Sequence, residues 1–295
     1  MKRKHFLRQG LMGLGAAATA PAVANAWSTK HHRPDQRNEQ VGFNHLPATA
    51  GTIHTEGHTM KTVLHKANSR GHANHGWLDS HHSFSFANYY NPERMHFGVL
   101  RVLNDDIVDG GRGFGRHPHD NMEIISIPLS GSLEHQDSMG NTHVIKANDI
   151  QVMSAGKGIF HSEFNREADK TNFLQIWVFP NKQNVEPRYD QLPLDPADRK
   201  NRLQQILSPV PEDEGVWIHQ DAWFHRGDLD AGRSVNYSVK REGNGVYVFV
   251  LEGQVTIAGQ QLDKRDGLGI TGTTQVEIIA GQASELLVMD VPMTL

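Results

Sequence analysis

The segment Met122-Glu123-Ile124-Ile125-Ser126-Ile127-Pro128-Leu129-Ser130-Gly131-Ser132-Leu133 is an apolar run of strand length broken by a glycine turn. A second segment, Val246-Tyr247-Val248-Phe249-Val250-Leu251-Glu252-Gly253-Gln254-Val255, has the same form. Leu129-Ser130-Gly131-Ser132-Leu133 matches Leu251-Glu252-Gly253-Gln254-Val255 position by position. Around the first lie the runs Phe97 to Leu103, His143 to Ile145, Ile150 to Met153 and Phe173 to Phe179. Around the second lie Leu268 to Ile270, Val276 to Ile279 and Glu285 to Val291. Short apolar runs separated by Gly, Asn and Asp clusters predict a sandwich or barrel, not an alternating βαβ sheet. Their recurrence predicts an all-β chain of two tandem β-barrels of the jelly-roll type with few short helices.

Working outward, the stretch from Asn181 to Arg202 is rich in Pro, Gln and charge and is expected to cross between barrels at 61–180 and 181–295. The best helical signal is Pro196 to Leu207, with Asp195 able to cap and Pro196 at the first helical position. Residues 27–60 are polar, without period two or 3.6, and are expected to form a flexible linker. The histidines within it, His31, His32, His45, His54 and His58, belong to that solvated tail. Residues 1–26 have the form of an export signal: basic Lys2, Arg3, Lys4 and Arg8, a weakly apolar stretch from Leu11 to Ala24, and cleavage after Ala24-Asn25-Ala26. The order Arg3-Lys4-His5-Phe6-Leu7-Arg8 resembles a twin-arginine signal with lysine in the second arginine's place. A periplasmic location is therefore expected, with no membrane span in the mature form, because the apolar stretch is too short and glycine-rich to cross a bilayer.

Composition narrows the chemistry. The 295-residue chain has 29 basic and 33 acidic residues and a net charge of -4. That balance offers no extended basic field for nucleic acid or an anionic membrane. With no cysteine, thiolate metal sites, iron–sulfur clusters, disulfides and cysteine nucleophiles are excluded. Any metal must be held by nitrogen and oxygen.

Two spacings stand out among the 19 histidines. In a strand, residues two apart share a face, so His117 and His119 in His117-Pro118-His119 can point together, as can His161 and Glu163 in His161-Ser162-Glu163. Two such pairs can supply four converging ligands, a set suited to Fe(II), Mn, Ni, Co, Cu(II) or Zn. On an octahedral ion two positions remain open for substrate, water or dioxygen. The glycines of Gly111-x-Gly113-x-Gly115 and Gly156-Lys157-Gly158 precede the two pairs and allow tight entry to a buried strand. No Gly-Lys-Ser/Thr follows them, which argues against a phosphate loop.

These residues resemble the cupin signature and, within it, the pirin family. Gly111, His117-x-His119, Glu123 and Gly131 follow the first cupin motif, the last spacing one residue long, and Gly158, His161 and Asn165 follow the end of the second. The wording resembles pirins further in Gly71-His72-Ala73-Asn74-His75-Gly76-Trp77-Leu78, Glu134-His135-Gln136-Asp137-Ser138-Met139-Gly140-Asn141, Ser154-Ala155-Gly156-Lys157-Gly158-Ile159-Phe160-His161-Ser162-Glu163 and Gln175-Ile176-Trp177. The resemblance runs from about Lys61 to the C-terminus, is densest in the first barrel, and implies a bicupin. It implies His117, His119, His161 and Glu163 as the metal ligands, with Fe(II) foremost, and Glu123 outside the coordination shell, where it could orient an imidazole or shuttle a proton. It is closest in kind to bacterial pirins described as quercetin 2,3-dioxygenases. It therefore implies oxidative opening of a flavonol or similar enol by dioxygen, with Glu163 or Glu123 accepting the proton. The alternative is a redox-sensitive metal-binding regulatory protein without turnover.

Other residues receive plainer readings. His135 can line the pocket or end a strand against backbone. His72, His75, His81 and His82 cluster, but no i, i+2 pairing frames them, so no second metal is expected. Trp77, Phe84, Phe86, Trp177 and Phe179 are expected in the core. The offsets that reach the first histidines from Gly131 lead from Gly253 to Val239 and Arg241, and no histidine follows His225. The second barrel is therefore expected to lack a metal site.

Overall fold

The structure, a computed structural model, describes residues 50–55 and 58–295. The expected export signal and most of the expected linker lie outside the described residues. The end of that linker is already strand, in β1 (Ala50–Thr55) and β2 (His58–His65). Next come β3 (Gly71–Asn74), β4 (Leu78–His82), β5 (Leu100–Val108), β6 (Gly113–His119), β7 (Glu123–Ser130) and β8 (Ser132–Asp137). The first barrel ends with β9 (Thr142–Lys146), β10 (Asp149–Ser154), β11 (Ile159–Phe164), β12 (Thr171–Val178) and β13 (Arg188–Pro193). The second contains β14 (Leu203–Ser208), β15 (Val216–Trp217), β16 (Trp223–Leu229), β17 (Ser234–Ser238) and β18 (Asn244–Glu252). It closes with β19 (Gln254–Ile257), β20 (Gln260–Asp263), β21 (Gly267–Thr271), β22 (Gln275–Ala280) and β23 (Ser284–Pro292). Among the described residues no helix is long and apolar enough to cross a membrane.

Each barrel is a large sheet covered by a four-stranded one. The first pairs the order β13-β10-β7-β12-β5-β4-β3 with β6-β11-β8-β9; the second pairs β1-β2-β21-β18-β23-β16-β14-β15 with β17-β22-β19-β20. The two small sheets have the same connectivity, one strand for one strand. The repeated turn also superposes in kind: Gly131 joins β7 to β8 at φ 72°, and Gly253 joins β18 to β19 at φ 82°. A side chain at either would also meet a neighbouring strand end, Thr171 at the first and Ala283 and Ser284 at the second. Glycine is required at both.

The large sheets lie back to back. Ile125 and Ile127 of β7 and Leu174 and Ile176 of β12 share one buried cluster with Tyr247 and Phe249 of β18 and Leu287 and Met289 of β23. The alternate residues Val246, Val248 and Val250 of β18, with Leu286 and Val288 of β23, turn into the second barrel. Both faces of these strands are buried, which is why their sequences are continuous apolar runs. Each such side chain contributes roughly 1.5–3 kcal/mol relative to exposure. Polar ties reinforce the seam: Asp105 takes Arg70 at 3.3 Å and Arg265 of the second barrel at 3.2 Å.

The sheets divide differently from the expected boundary at residue 180. β13 pairs along its length with β10 and so extends the first barrel to Pro193. β2, which precedes that barrel, pairs with β21 of the second from Lys61↔Thr271 to His65↔Gly267. The first barrel is thus carried between β2 and β14 of the second. The expected helix is also shorter. Asp195 does cap, accepting from the Ala197 N–H at 2.9 Å, but the turn is a 3-10 segment ending at Arg199. Leu203 onward instead pairs with β16, where a ladder and a buried face outweigh the local helical signal.

Candidate metal centre

β6 and β11 are antiparallel neighbours, and their register sets His161 opposite His117 and Ile159 opposite His119. Gly113 lets them approach, since a Cβ there would strike Glu163 and Phe164 of β11. The imidazoles of His117, His119 and His161 consequently meet on one face, with centroids 4.4–4.9 Å apart. One ring nitrogen from each lies within 4.8 Å of the others.

These rings are held neutral. Burial, and then the neighbouring His117, pushes His119 down to about 3. Burial lowers His117, and burial followed by His117, His119 and the neighbouring His135 drives His161 well below the ordinary histidine value. His117 Nδ1 donates to the Gly115 carbonyl at 2.8 Å, which leaves its Nε2 as the lone-pair nitrogen. His161 Nε2 is buried and has no hydrogen-bond partner. An orphaned imidazole nitrogen beside two further imidazoles fits a divalent cation of borderline softness.

Glu163 is divided from this trio. Its two carboxylate oxygens accept from Ser126 Oγ and Gln175 Nε2, each at 3.0 Å. Burial pushes the carboxyl up to about 7 against those hydrogen bonds. It forms a second trio with His161 and His135, again within 4.8 Å, so His161 is common to both groups. His135 is fully buried, with Nε2 3.2 Å from Asp137 Oδ2 and its ring tilted on Tyr189 at 4.6 Å. The sequence carries its signal as His135-Gln136-Asp137, a further i, i+2 pair on the strand beside β11.

Glu123 lies elsewhere. It shares a face of β7 with Ile125 and Ile127, which point to the seam between barrels, whereas Ser126 points to Glu163. Its carboxylate accepts from Ser154 Oγ at 2.8 Å and from the His219 N–H at 3.3 Å. It neither orients an imidazole nor reaches the cleft. Asn165 is likewise fully buried and structural, donating to the Asp169 and Val108 carbonyls.

Beside the histidines lies a narrow cleft with about 20 Å³ of free space. Phe86, Phe114 and Trp177 supply its apolar walls, and Asn104, Asp106 and Gln175 its polar one. The Trp177 ring stands edge-on to His119 at 5.0 Å and to Phe86 at 5.4 Å. Phe86 thus faces the cleft and not the core expected for it, and Trp177 both lines the cleft and packs on the buried cluster around Ile124, while Phe84 and Phe179 pack with the shared core and Trp77 packs on Phe114. Asp106 is buried, accepts from Ser80, and is pushed up to about 7 mainly by burial. The arrangement can hold a metal ion and present an aromatic-walled opening, with acceptors on one side, to the edge of a flat ligand.

Two family models match the chain, Pirin over residues 63–178 and the quercetinase C-terminal cupin domain over residues 205–291. A quercetin 2,3-dioxygenase of Escherichia coli strain K12 is 45% identical over 230 residues, covering 78% of this chain and 98% of that protein. A pirin-like protein of Caulobacter vibrioides is 38% identical over 221 residues, covering 75% and 95%. Among solved structures, the bacterial pirin YhhW of Escherichia coli in complex with nickel(II) has a TM-score of 0.74 at 43% identity, covering 78% of this chain and 99% of its own.

Proposed function

The chain belongs to the pirin family, and from that footing we propose that it is a metal-dependent dioxygenase opening the ring of a flavonol such as quercetin, or of a related enol, with dioxygen. The observation that carries the reading is the orphaned Nε2 of buried His161, grouped with His117 and His119, which line an aromatic-walled cleft. The name of the Escherichia coli relative and the nickel(II) in the YhhW structure support it. In this reading His117, His119, His161 and Glu163 hold one divalent ion, with Fe(II) as the physiological choice and Mn, Co, Ni, Cu or Zn as competitors. A bound ion would polarise a coordinated hydroxyl and lower its pKa, making the enolate accessible near neutral pH.

The protein's own groups supply the rest. Phe86, Phe114 and Trp177 line the opening and would bear on the leading edge of a flat ring. Ser126 and Gln175 fix the Glu163 carboxylate through one oxygen each. Of the two glutamates considered as proton acceptor, Glu163 adjoins the cleft and Glu123 does not. The cleft has about 20 Å³ of free space, room for little more than one water and far below the span of small-molecule sites. A flavonol would therefore enter by its hydroxy-carbonyl edge, with its outer ring toward solvent.

The test is to load the protein in turn with Fe, Mn, Co, Ni and Cu, add quercetin and oxygen, and follow the flavonol absorbance. Bleaching that depends on the metal and is lost in His161→Ala is expected; no bleaching with any ion refutes the assignment. Export to the periplasm is proposed alongside it, from residues 1–26, and is read by fractionating cells that express the full chain.

A further inference from the structure

The hairpin β3–β4 carries a cluster on its outer face, away from the cleft. His72 and His81 are Cα partners across the hairpin. Their rings stack at 4.4 Å with planes 19° apart. Asp79 sits two residues before His81 and so shares its face. Its Oδ1 lies 2.7 Å from His72 Nε2 and 3.6 Å from His81 Nδ1. The other face of the same strand serves a different purpose, since Ser80 there donates to the cleft residue Asp106 and contacts His82 Nε2 at 2.8 Å. Sequence spacing hides the outer cluster, because its imidazoles are nine positions apart and only the register makes them neighbours.

We propose that His72, Asp79 and His81 form a second metal site, facing solvent, for a divalent cation of the Zn2+ or Ni2+ class. Two imidazoles and one carboxylate are the donor set such borderline ions take, and the carboxylate offsets part of their charge. One donor atom from each residue already falls within 4.8 Å of the other two. The scaffold is stiff: β4 is paired on its far side with β5, from Leu78↔Val108 to His82↔Asn104, so little backbone freedom is lost on binding. The nearest opposing charge is Arg70, and its guanidinium is engaged by Asp105 at 3.3 Å. His72 and Asp79 remain substantially exposed, so water completes the coordination and the ion exchanges freely. This site binds more weakly than the buried cluster and adds an equivalent of metal independent of it.

The experiment is a Zn2+ titration of chelator-stripped full-length protein against a metallochromic dye, comparing the parent with His81→Ala, Asp79→Asn and His161→Ala. Histidines upstream of residue 50 contribute equally to all, so differences isolate the three positions. Asp79→Asn and His81→Ala should each lose one equivalent, the double variant should lose no more than either alone, and His81→Ala combined with His161→Ala should lose two. In parallel, Ni2+ added to the His161→Ala protein should broaden the imidazole proton NMR signals of His72, and should not do so in His161→Ala combined with Asp79→Asn. Unchanged stoichiometry and affinity in both hairpin variants would overturn the proposal. So would a His81→Ala/His161→Ala protein that binds as His161→Ala alone.

Discussion

Between β6 and β11 the first barrel sets His117 opposite His161; between their counterparts β17 and β22 the second sets Asn236 opposite Glu277 and Tyr237 opposite Val276. The small sheets share connectivity and each large sheet turns into its small one at a left-handed glycine. What differs is the filling. The second barrel packs Val246, Val248, Val255, Ile257, Val276 and Ile278 into one apolar interior. In the first, apolar residues separate into two small groups, around Phe173 and around Ile124, and the imidazoles and Glu163 occupy the space between. One frame therefore serves two purposes, and the barrel that carries chemistry gives up core to do so. It recovers stability from the shared seam and, on the reading above, from its ion.

The comparison can be broken at several points. The largest effect is expected from His161→Ala, which removes the imidazole common to both trios; metal content by elemental analysis should fall and flavonol turnover drop by more than about 100-fold. Ile278→Ala in the second barrel should behave oppositely, costing roughly 2–5 kcal/mol in denaturant unfolding while leaving metal content unchanged. An equal loss of metal would show that the barrels do not divide structure from chemistry.

A smaller effect concerns the seam. Glu123 is pushed up to about 7 by burial, so the folded state holds its proton more tightly than the unfolded chain does. Its contribution is complete below pH 4.5 and is lost as pH rises toward 7, a change on the order of 1–3 kcal/mol. Glu123→Gln should flatten that segment of the stability–pH curve. Subtraction from the parent is needed because neutral His65 and His225, pushed down to about 4 and about 3, act in the opposite sense and lose stability as pH falls below 6.5. A curve unchanged by the substitution would mean Glu123 titrates normally. Least of all, Gln175→Ala removes one hydrogen bond to Glu163. It should weaken turnover by about tenfold, corresponding to roughly 1.4 kcal/mol, with folding intact by circular dichroism.

What could be read from the sequence was local. The turn around Gly131 and Gly253, and the pairs His117/His119 and His161/Glu163, depend on neighbours within a few residues, and strand periodicity converts them into geometry directly. Glu123 is outside the coordination shell as expected, but its distance from the cleft is not legible because β7 is apolar on both faces, so the alternation that separates Glu123 from Ser126 is masked by the surrounding isoleucines. The spacing of His135 and Asp137 shows that they share a face, but the meeting of that face with His161, like the meeting of His72 with Asp79 and His81, depends on cross-strand register, which spacing along one strand does not contain. The capped segment at Pro196 failed as a full helix for the same reason: Leu203 is claimed by Gly227 of β16, a partner 24 positions on.

The pairing of β2 with β21 also sets a clock. Lys61 leaves the ribosome 210 residues ahead of its partner Thr271, a wait of roughly 10–40 s at ordinary elongation rates. All of the first barrel is synthesised in that interval. The metal-binding half can thus complete its sheets while the strand that precedes it still has an unpaired edge, and a late strand of the second barrel, β21, is what takes that edge out of circulation.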